Sequence, residues 1–96
     1  MAEVCRGMSQ LIGQIPDSIH KNGRGQHLFY LGVNHTKMRR LPLGRQFEVV
    51  YEPVGTRPWH VVLFTRGAKG DVIEKSRNLK PDEIAYFESL LKANSG

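Results

Sequence analysis

Alternating hydrophobic and polar residues predict several β-strands in the middle of this chain. Residues 45–52 alternate most clearly, as expected for a strand with one face on a core. The positions expected to face the core are Phe47, Val49 and Tyr51, and those expected to face water are Gln46, Glu48 and Glu52.

Two further segments are apolar on both alternating faces, which is typical of central strands. These are residues 26–34 and residues 59–66. Residues 71–77 are more polar and predict an edge strand, where charged side chains discourage aggregation. The connections at residues 53–58 and 67–70 are short and contain glycine, so neighbouring strands are expected to form hairpins.

The two ends of the chain have helical periodicity instead. Residues 3–14 predict a helix, and residues 16–21 are expected to add a short helical turn. The apolar stripe of the first segment consists of Val4, Met8, Leu11, Ile12 and Ile15. At the other end, Pro81 suits the first position of a helix. Its apolar stripe consists of Ile84, Phe87, Leu90 and Leu91.

These elements predict one α+β domain over residues 1–96, built on an antiparallel meander of three to four strands. The meander is expected to pack with an N-terminal helix and a C-terminal helix. The central hairpin is expected to place Phe47, Val49, Val61 and Leu63 in one core with Phe87. Residues 35–44 are basic and contain Pro42 and Gly44, so we expect a loop or a frayed hairpin arm there.

Composition narrows the class of protein. The chain is 40% hydrophobic and 24% charged, which is ordinary for a globular domain. It has no apolar run long enough to span a membrane, and its N-terminus lacks the features of a secretory signal. Cys5 is the only cysteine, so a cytoplasmic protein without an internal disulfide is expected.

Charge is distributed unevenly along the chain, whose formal net charge is +5. No acidic residue occurs between Asp17 and Glu48, so residues 21–45 carry a basic region. Lysine and arginine neutralise phosphates and release counterions, and neighbouring polar side chains add hydrogen bonds. The candidate binding residues are therefore Lys21, Arg24, His35, Thr36, Lys37, Arg39, Arg40 and Arg45.

Nucleic acid, DNA or RNA, is the first partner that this pattern predicts. A protein partner is the alternative, because arginine is enriched at interface hot spots. In that case the chain would be an adaptor or an inhibitor of host machinery, of the kind encoded by phages and mobile elements, and its partner could itself handle nucleic acid. Tyr30, Tyr51 and Trp59 would serve as stacking platforms for single strands if exposed, but a core this small needs most of its aromatic residues.

Catalysis is less expected than binding. The four histidines lack a recognised metal-ligand spacing, so we expect no metal, no cofactor and no catalytic residue of the usual kinds. A small metal-independent ribonuclease toxin stays open as a third alternative, since histidines beside basic residues can cleave RNA by acid–base catalysis. The runs FEVVYEP and HVVLFTRG resemble the central strands of small mRNA-cleaving toxins, although the long helical hairpin that precedes those strands is missing here.

Overall fold

The computed structural model describes residues 10–95, and its central feature is a five-stranded antiparallel sheet in sequence order. One α-helix follows the sheet, and a short 3₁₀ helix lies between the second and third strands. The α+β class and the antiparallel meander are thus confirmed. The elements are β1 (Ser18–Lys21), β2 (His27–Leu31), the 3₁₀ helix (His35–Arg40), β3 (Gln46–Tyr51), β4 (His60–Thr65), β5 (Val72–Asn78) and α1 (Pro81–Ser95).

Helix α1 covers one face of the sheet and forms the larger core. Phe87 is completely buried there and meets Phe29 edge-on, with ring centroids 5.1 Å apart. The predicted stripe of α1 is confirmed, because Ile84, Leu90 and Leu91 also pack against this cluster. The buried members of the cluster are Leu11, Phe29, Leu31, Val50, Trp59, Val61, Leu79 and Phe87.

The other face of the sheet carries a smaller core beneath the 3₁₀ helix. Met38 and Leu41 pack there against a buried cluster of Tyr30, Val33, Phe47 and Val49. Phe47 and Phe64 lie side by side on adjacent strands, with their rings stacked at 5.2 Å. Two separate layers therefore pack on the sheet, a long helix on one side and a single short helix over part of the other.

The sheet has one strand more than the three to four predicted, because residues 18–21 form β1. A helical turn over residues 16–21 was therefore the wrong prediction. Ser18–Lys21 pairs with β2, and Ile19 packs on the α1 side, so hydrogen bonding to a neighbouring strand overrides the local sequence signal.

Most of the predicted N-terminal helix, over residues 3–14, lies outside the described residues. Residues 10–14, the part that the structure describes, form no helix. Leu11 is nevertheless buried, and the Tyr86 hydroxyl donates a hydrogen bond to the backbone oxygen of Gln14. This segment therefore contributes to the core beneath α1 as irregular chain.

The alternation in β3 correctly predicted a strand but not which of its residues are buried. Phe47 and Val49 face the smaller core, whereas Val50 and Glu48 lie on the α1 side. Glu48, which was expected to face water, is only 5% exposed. The prediction that Phe47 and Val49 share a core with Phe87 was wrong, because the sheet is covered on both faces and β3 contributes to two cores.

Strand β5 is joined to the start of α1 by a bidentate salt bridge. The two guanidinium nitrogens of Arg77 contact the two carboxylate oxygens of Glu83 at 2.8 and 2.9 Å. Glu83 also accepts a hydrogen bond from the backbone N–H of Lys80, so it caps the first turn of α1. These contacts lower the pKa of Glu83, chiefly through the Arg77 hydrogen bond.

Candidate functional site

The 3₁₀ helix is held firmly enough to present side chains in fixed positions. Asn34 precedes it, and its side-chain oxygen accepts a hydrogen bond from the backbone N–H of Thr36. The backbone N–H of His35 donates to the Ser18 hydroxyl, which links the helix to β1. With Met38 and Leu41 packed inward, the helix has a defined inner and outer side.

Three cations lie on the exposed side of that helix. Lys37, Arg39 and Arg40 are all exposed, and no acidic residue occurs in the helix or its first turn. The segment after the helix adds Arg45, which is exposed and donates through Nη2 to the backbone oxygen of Gly32. The predicted basic loop is therefore a short helix and a connecting turn.

The β4–β5 turn brings further positive charge to the same end of the sheet. Arg66 and Arg45 face each other across this end, where the backbone N–H of Arg66 donates to the Arg45 oxygen at 2.8 Å. Arg66 also donates through Nη2 to the Arg39 oxygen, and Lys69 is exposed at the tip of the turn. We call the exposed set Lys37, Arg39, Arg40, Arg45 and Lys69 the basic surface.

Little negative charge opposes the basic surface. Asp71 lies in the β4–β5 turn, and its carboxylate is 3.7 Å from the Arg66 guanidinium. Asp17 is exposed beside Asn34 at the start of the 3₁₀ helix, so two acids lie near the five cations of the basic surface. Glu48, the acid that ends the basic region of the sequence, is buried on the opposite side of the sheet. Positive potential therefore accumulates at this end of the molecule.

Two of the predicted binding residues lie elsewhere. Lys21 ends β1 and Arg24 occupies the following turn, at the end of the β1–β2 hairpin opposite the 3₁₀ helix. Both are exposed. The structure thus groups Lys37, Arg39, Arg40 and Arg45 and separates Lys21 and Arg24 from them by the length of a strand.

His35 and Thr36 make contacts within the protein. The His35 ring stacks on His20, with centroids 3.8 Å apart, and also contacts Tyr30. The Thr36 hydroxyl donates to the side-chain oxygen of Asn34 at 2.7 Å. Both residues therefore position the 3₁₀ helix, whatever else they contact.

Beyond the 3₁₀ helix, one row of side chains on the same face stays partly open. Directly paired residues on neighbouring strands share a face, and here the pairing runs across all five strands. Tyr51 and His60 form its centre, with parallel rings whose centroids are 4.8 Å apart. We call this set the open row, and it consists of His20, Leu28, Tyr51, His60 and Asn78.

The open row leads into a shallow cleft at the β5 edge. The cleft has a volume of about 400 Å³, and its lining includes His60, Asn78 and Arg57. His60 is oriented by the backbone oxygen of Pro58, 3.2 Å from Nδ1. Arg57 is exposed in the connection before β4. The row thus ends beside a cation at the β5 edge and beside the 3₁₀ helix at the β1 edge.

The pKa values of Tyr30 and Tyr51 on this face are raised, which favours the neutral phenol. Burial raises the pKa of Tyr51, and the neighbouring Tyr30 adds to that shift. Burial also raises the pKa of Tyr30, with a contribution from Asp71. Both phenols therefore stay protonated at neutral pH and add no negative charge to the face.

The remaining histidine, His27, has a structural partner. Its ring Nδ1 and its backbone N–H both lie 2.9 Å from one oxygen of Glu52. Among residues 10–95, no cluster of three histidine, cysteine, aspartate or glutamate side chains could hold a metal ion. Cys5 lies outside the described residues. Within the same range, no helix has the length and apolar character needed to cross a lipid bilayer.

Sequence reasoning missed several members of this face. Arg66 and Lys69 are distant in sequence from the basic region and join it only through the β4–β5 turn. The Tyr51–His60 pair depends on strand register, which the sequence leaves undetermined. Of the three proposed stacking residues, Tyr30 and Trp59 are buried, and Tyr51 alone is partly exposed.

No protein-family model matches this chain, and the comparisons with curated proteins and with solved structures give no match either.

Proposed function

We propose that this protein binds nucleic acid through the basic surface. The observation that carries the proposal is the grouping of exposed lysines and arginines on one short helix and the two adjoining turns. Such a cluster attracts phosphates over a long range and gains affinity from the counterions that they release.

The contacts that hold this surface in place support the proposal. Backbone hydrogen bonds fix residues 44–45 to Arg66, and Met38 holds the 3₁₀ helix on the sheet. The cations therefore project from an ordered backbone, so little backbone entropy is lost on binding. Arginine forks can bind phosphate oxygens through two parallel hydrogen bonds, and Arg39 and Arg40 are adjacent, exposed members of the set.

Salt dependence provides the first test. Labelled duplex DNA, single-stranded DNA and single-stranded RNA are titrated with the protein and followed by fluorescence anisotropy at several salt concentrations. Each duplex phosphate that is neutralised contributes about −0.9 to the slope of log affinity against log salt. Engagement of the whole basic surface predicts a slope of up to about −4.5 on duplex DNA.

Charge reversal provides the second test. The double variant Arg39→Glu/Arg40→Glu should lose most of the affinity and reduce the slope by about 2. A matched control reverses Lys75 and Lys92, one on β5 and one on α1, which changes the net charge by the same amount. The control should keep most of the affinity if position matters more than total charge.

Two results would contradict the proposal. One is negligible affinity for every nucleic acid at low salt, which would favour a protein partner for the same surface. The other is equal loss of affinity in the two double variants, which would show attraction by net charge alone. Circular dichroism of each variant checks that the fold is retained.

A further inference from the structure

We infer that the preferred ligand is single-stranded nucleic acid, whose bases stack on the open row while its phosphates contact the neighbouring cations. This inference rests on the proposed function and adds to it the class of nucleic acid and a second set of contacts. It depends on where the open row lies relative to the basic surface.

The open row and the 3₁₀ helix occupy the same face of the sheet. Leu28 and Tyr51 of the row pack against the cluster that Met38 also covers. The His20–His35 stack then joins the β1 end of the row directly to the first residue of the 3₁₀ helix. The start of that helix therefore lies beside the β1 end of the row, whereas Arg39 lies farther away, at the strand ends near Arg66. Helix α1 lies on the other side of the sheet.

The shape of the row suits unpaired bases. Neighbouring strands are about 4.8 Å apart, so five consecutive positions span roughly 19 Å across the sheet. Within it, Tyr51 and His60 stack on each other with an interplanar angle of 2°, so each ring has one outer face left for a base. A base has two flat faces, and stacking on an aromatic side chain requires at least one of them to be unstacked, as in a single strand.

Cations lie near both ends of the row. Lys37 is close in sequence to His35 at the β1 end, and Arg57 lines the cleft beside His60 at the β5 end. A strand crossing the sheet would keep its sugar–phosphate backbone near positive charge while its bases lie on the rings. Asn78, exposed at the β5 end, has an amide that can donate to and accept from a base edge.

The open row suits a nucleic acid better than an apolar protein surface. Its members are mostly imidazole, phenol and amide groups that are partly exposed. The large exposed aliphatic side chains of the described residues lie outside it, at Ile12, Ile15, Leu43, Val72 and Ile73. Ile73 shares the face of the row but pairs with Phe64, toward the other end of the strands. Flat polar rings flanked by cations fit bases and phosphates, whereas an apolar partner would require aliphatic anchors.

The experiment replaces Tyr51 and His60 either with another aromatic residue or with a residue that has no ring. His60→Phe and Tyr51→Phe keep an aromatic ring, whereas His60→Val and Tyr51→Val remove it and keep a side chain that suits a strand. Binding is measured by anisotropy with a labelled thymidine strand of about 10 nucleotides and with a duplex of equal length, at one salt concentration. Thermal melting is recorded for every variant.

The inference predicts tighter binding of the single strand by the unmodified protein. Each valine variant should lose about 5- to 150-fold of that affinity, the range for one stacked base, while duplex affinity changes little. The phenylalanine variants should stay within a few-fold of the unmodified protein. Arg39→Glu/Arg40→Glu should weaken both ligands.

Other outcomes separate this inference from the proposed function. If the valine variants bind the single strand normally while the arginine reversal abolishes binding, the stacking inference is wrong and the basic surface still binds nucleic acid. If the unmodified protein prefers the duplex, the inference also fails. If no strand binds at low salt, both fail. If a valine variant unfolds, the inference is still tested by whether the unmodified protein and the phenylalanine variants bind the single strand more tightly than the duplex.

Discussion

The two faces of the sheet are closed in different ways, and the difference separates stability from recognition. On one face, the fifteen residues of α1 bury Phe87 among aromatic and aliphatic side chains from most of the sheet. On the other face, a six-residue 3₁₀ helix covers one end through Met38 and leaves the next row partly open. The first face forms most of the core, and the second combines a smaller core with exposed cations.

This contrast follows from helix length. An α-helix of four turns presents a continuous apolar stripe, so it can cover a sheet from edge to edge. A 3₁₀ helix is rarely longer than a few residues, so it contributes only one or two inward side chains. The remaining surface of the second face can then carry rings and charges without loss of the main core.

The largest expected loss of stability comes from a substitution in the core beneath α1. Phe87→Ala should reduce the free energy of unfolding by about 3–5 kcal/mol, because it opens a cavity at a completely buried position. The matched change on the other face, Phe64→Ala, should have a smaller effect, because Phe64 is only half-buried. Denaturant titration of both variants measures the difference, and equal losses would contradict the division of roles between the faces.

A second substitution tests how the 3₁₀ helix is attached. Met38→Ala removes a half-buried contact and should reduce the free energy of unfolding by about 1–2 kcal/mol. Because this helix is a separate small layer, amide exchange should accelerate at residues 35–41 and much less in α1. Met38→Leu, which conserves volume, should behave like the unmodified protein. Uniform acceleration throughout the sheet would show that the two layers are not independent.

The Arg77–Glu83 salt bridge links the β5 edge to α1. Weakening it should change the free energy of unfolding less than the loss of Phe87. Glu83→Gln should destabilise the protein by about 1–2 kcal/mol at neutral pH, because a charged bidentate contact and a helix cap are weakened.

The effect should depend on pH in a defined direction. The folded pKa of Glu83 lies below the ordinary glutamate value of about 4.3, so ionised Glu83 stabilises the fold above that value. The contribution is lost as pH falls through the folded pKa. In urea titrations, the difference in unfolding free energy between the unmodified protein and Glu83→Gln should therefore shrink as the pH falls. A difference that grows as the pH falls would show that ionised Glu83 does not stabilise the fold.

The smallest expected effect lies on the basic surface. Arg39→Glu/Arg40→Glu should change the free energy of unfolding by no more than about 0.5 kcal/mol, because both side chains are exposed. This variant should therefore lose affinity for nucleic acid while its free energy of unfolding hardly changes. A large drop in melting temperature would instead assign these arginines to the fold.

Much of the scaffold could be predicted from the sequence by itself. The alternation in residues 45–52 and 59–66, the polar edge strand and the apolar stripe of α1 are local signals, since side-chain periodicity reflects burial of one face. The grouping of Lys37, Arg39, Arg40 and Arg45 was also visible, because these residues are neighbours in sequence.

The tertiary structure decided what depends on distant pairing. Residues 16–21 contain too weak a local signal to specify β1, which depends on hydrogen bonding to β2. Glu48 reads as a solvent-facing residue until the sheet is known to be covered on both faces. The Tyr51–His60 pair and the addition of Lys69 arise from strand register and from the β4–β5 turn. A sequence pattern records whether a residue suits burial, but contacts between remote segments determine which residues it meets.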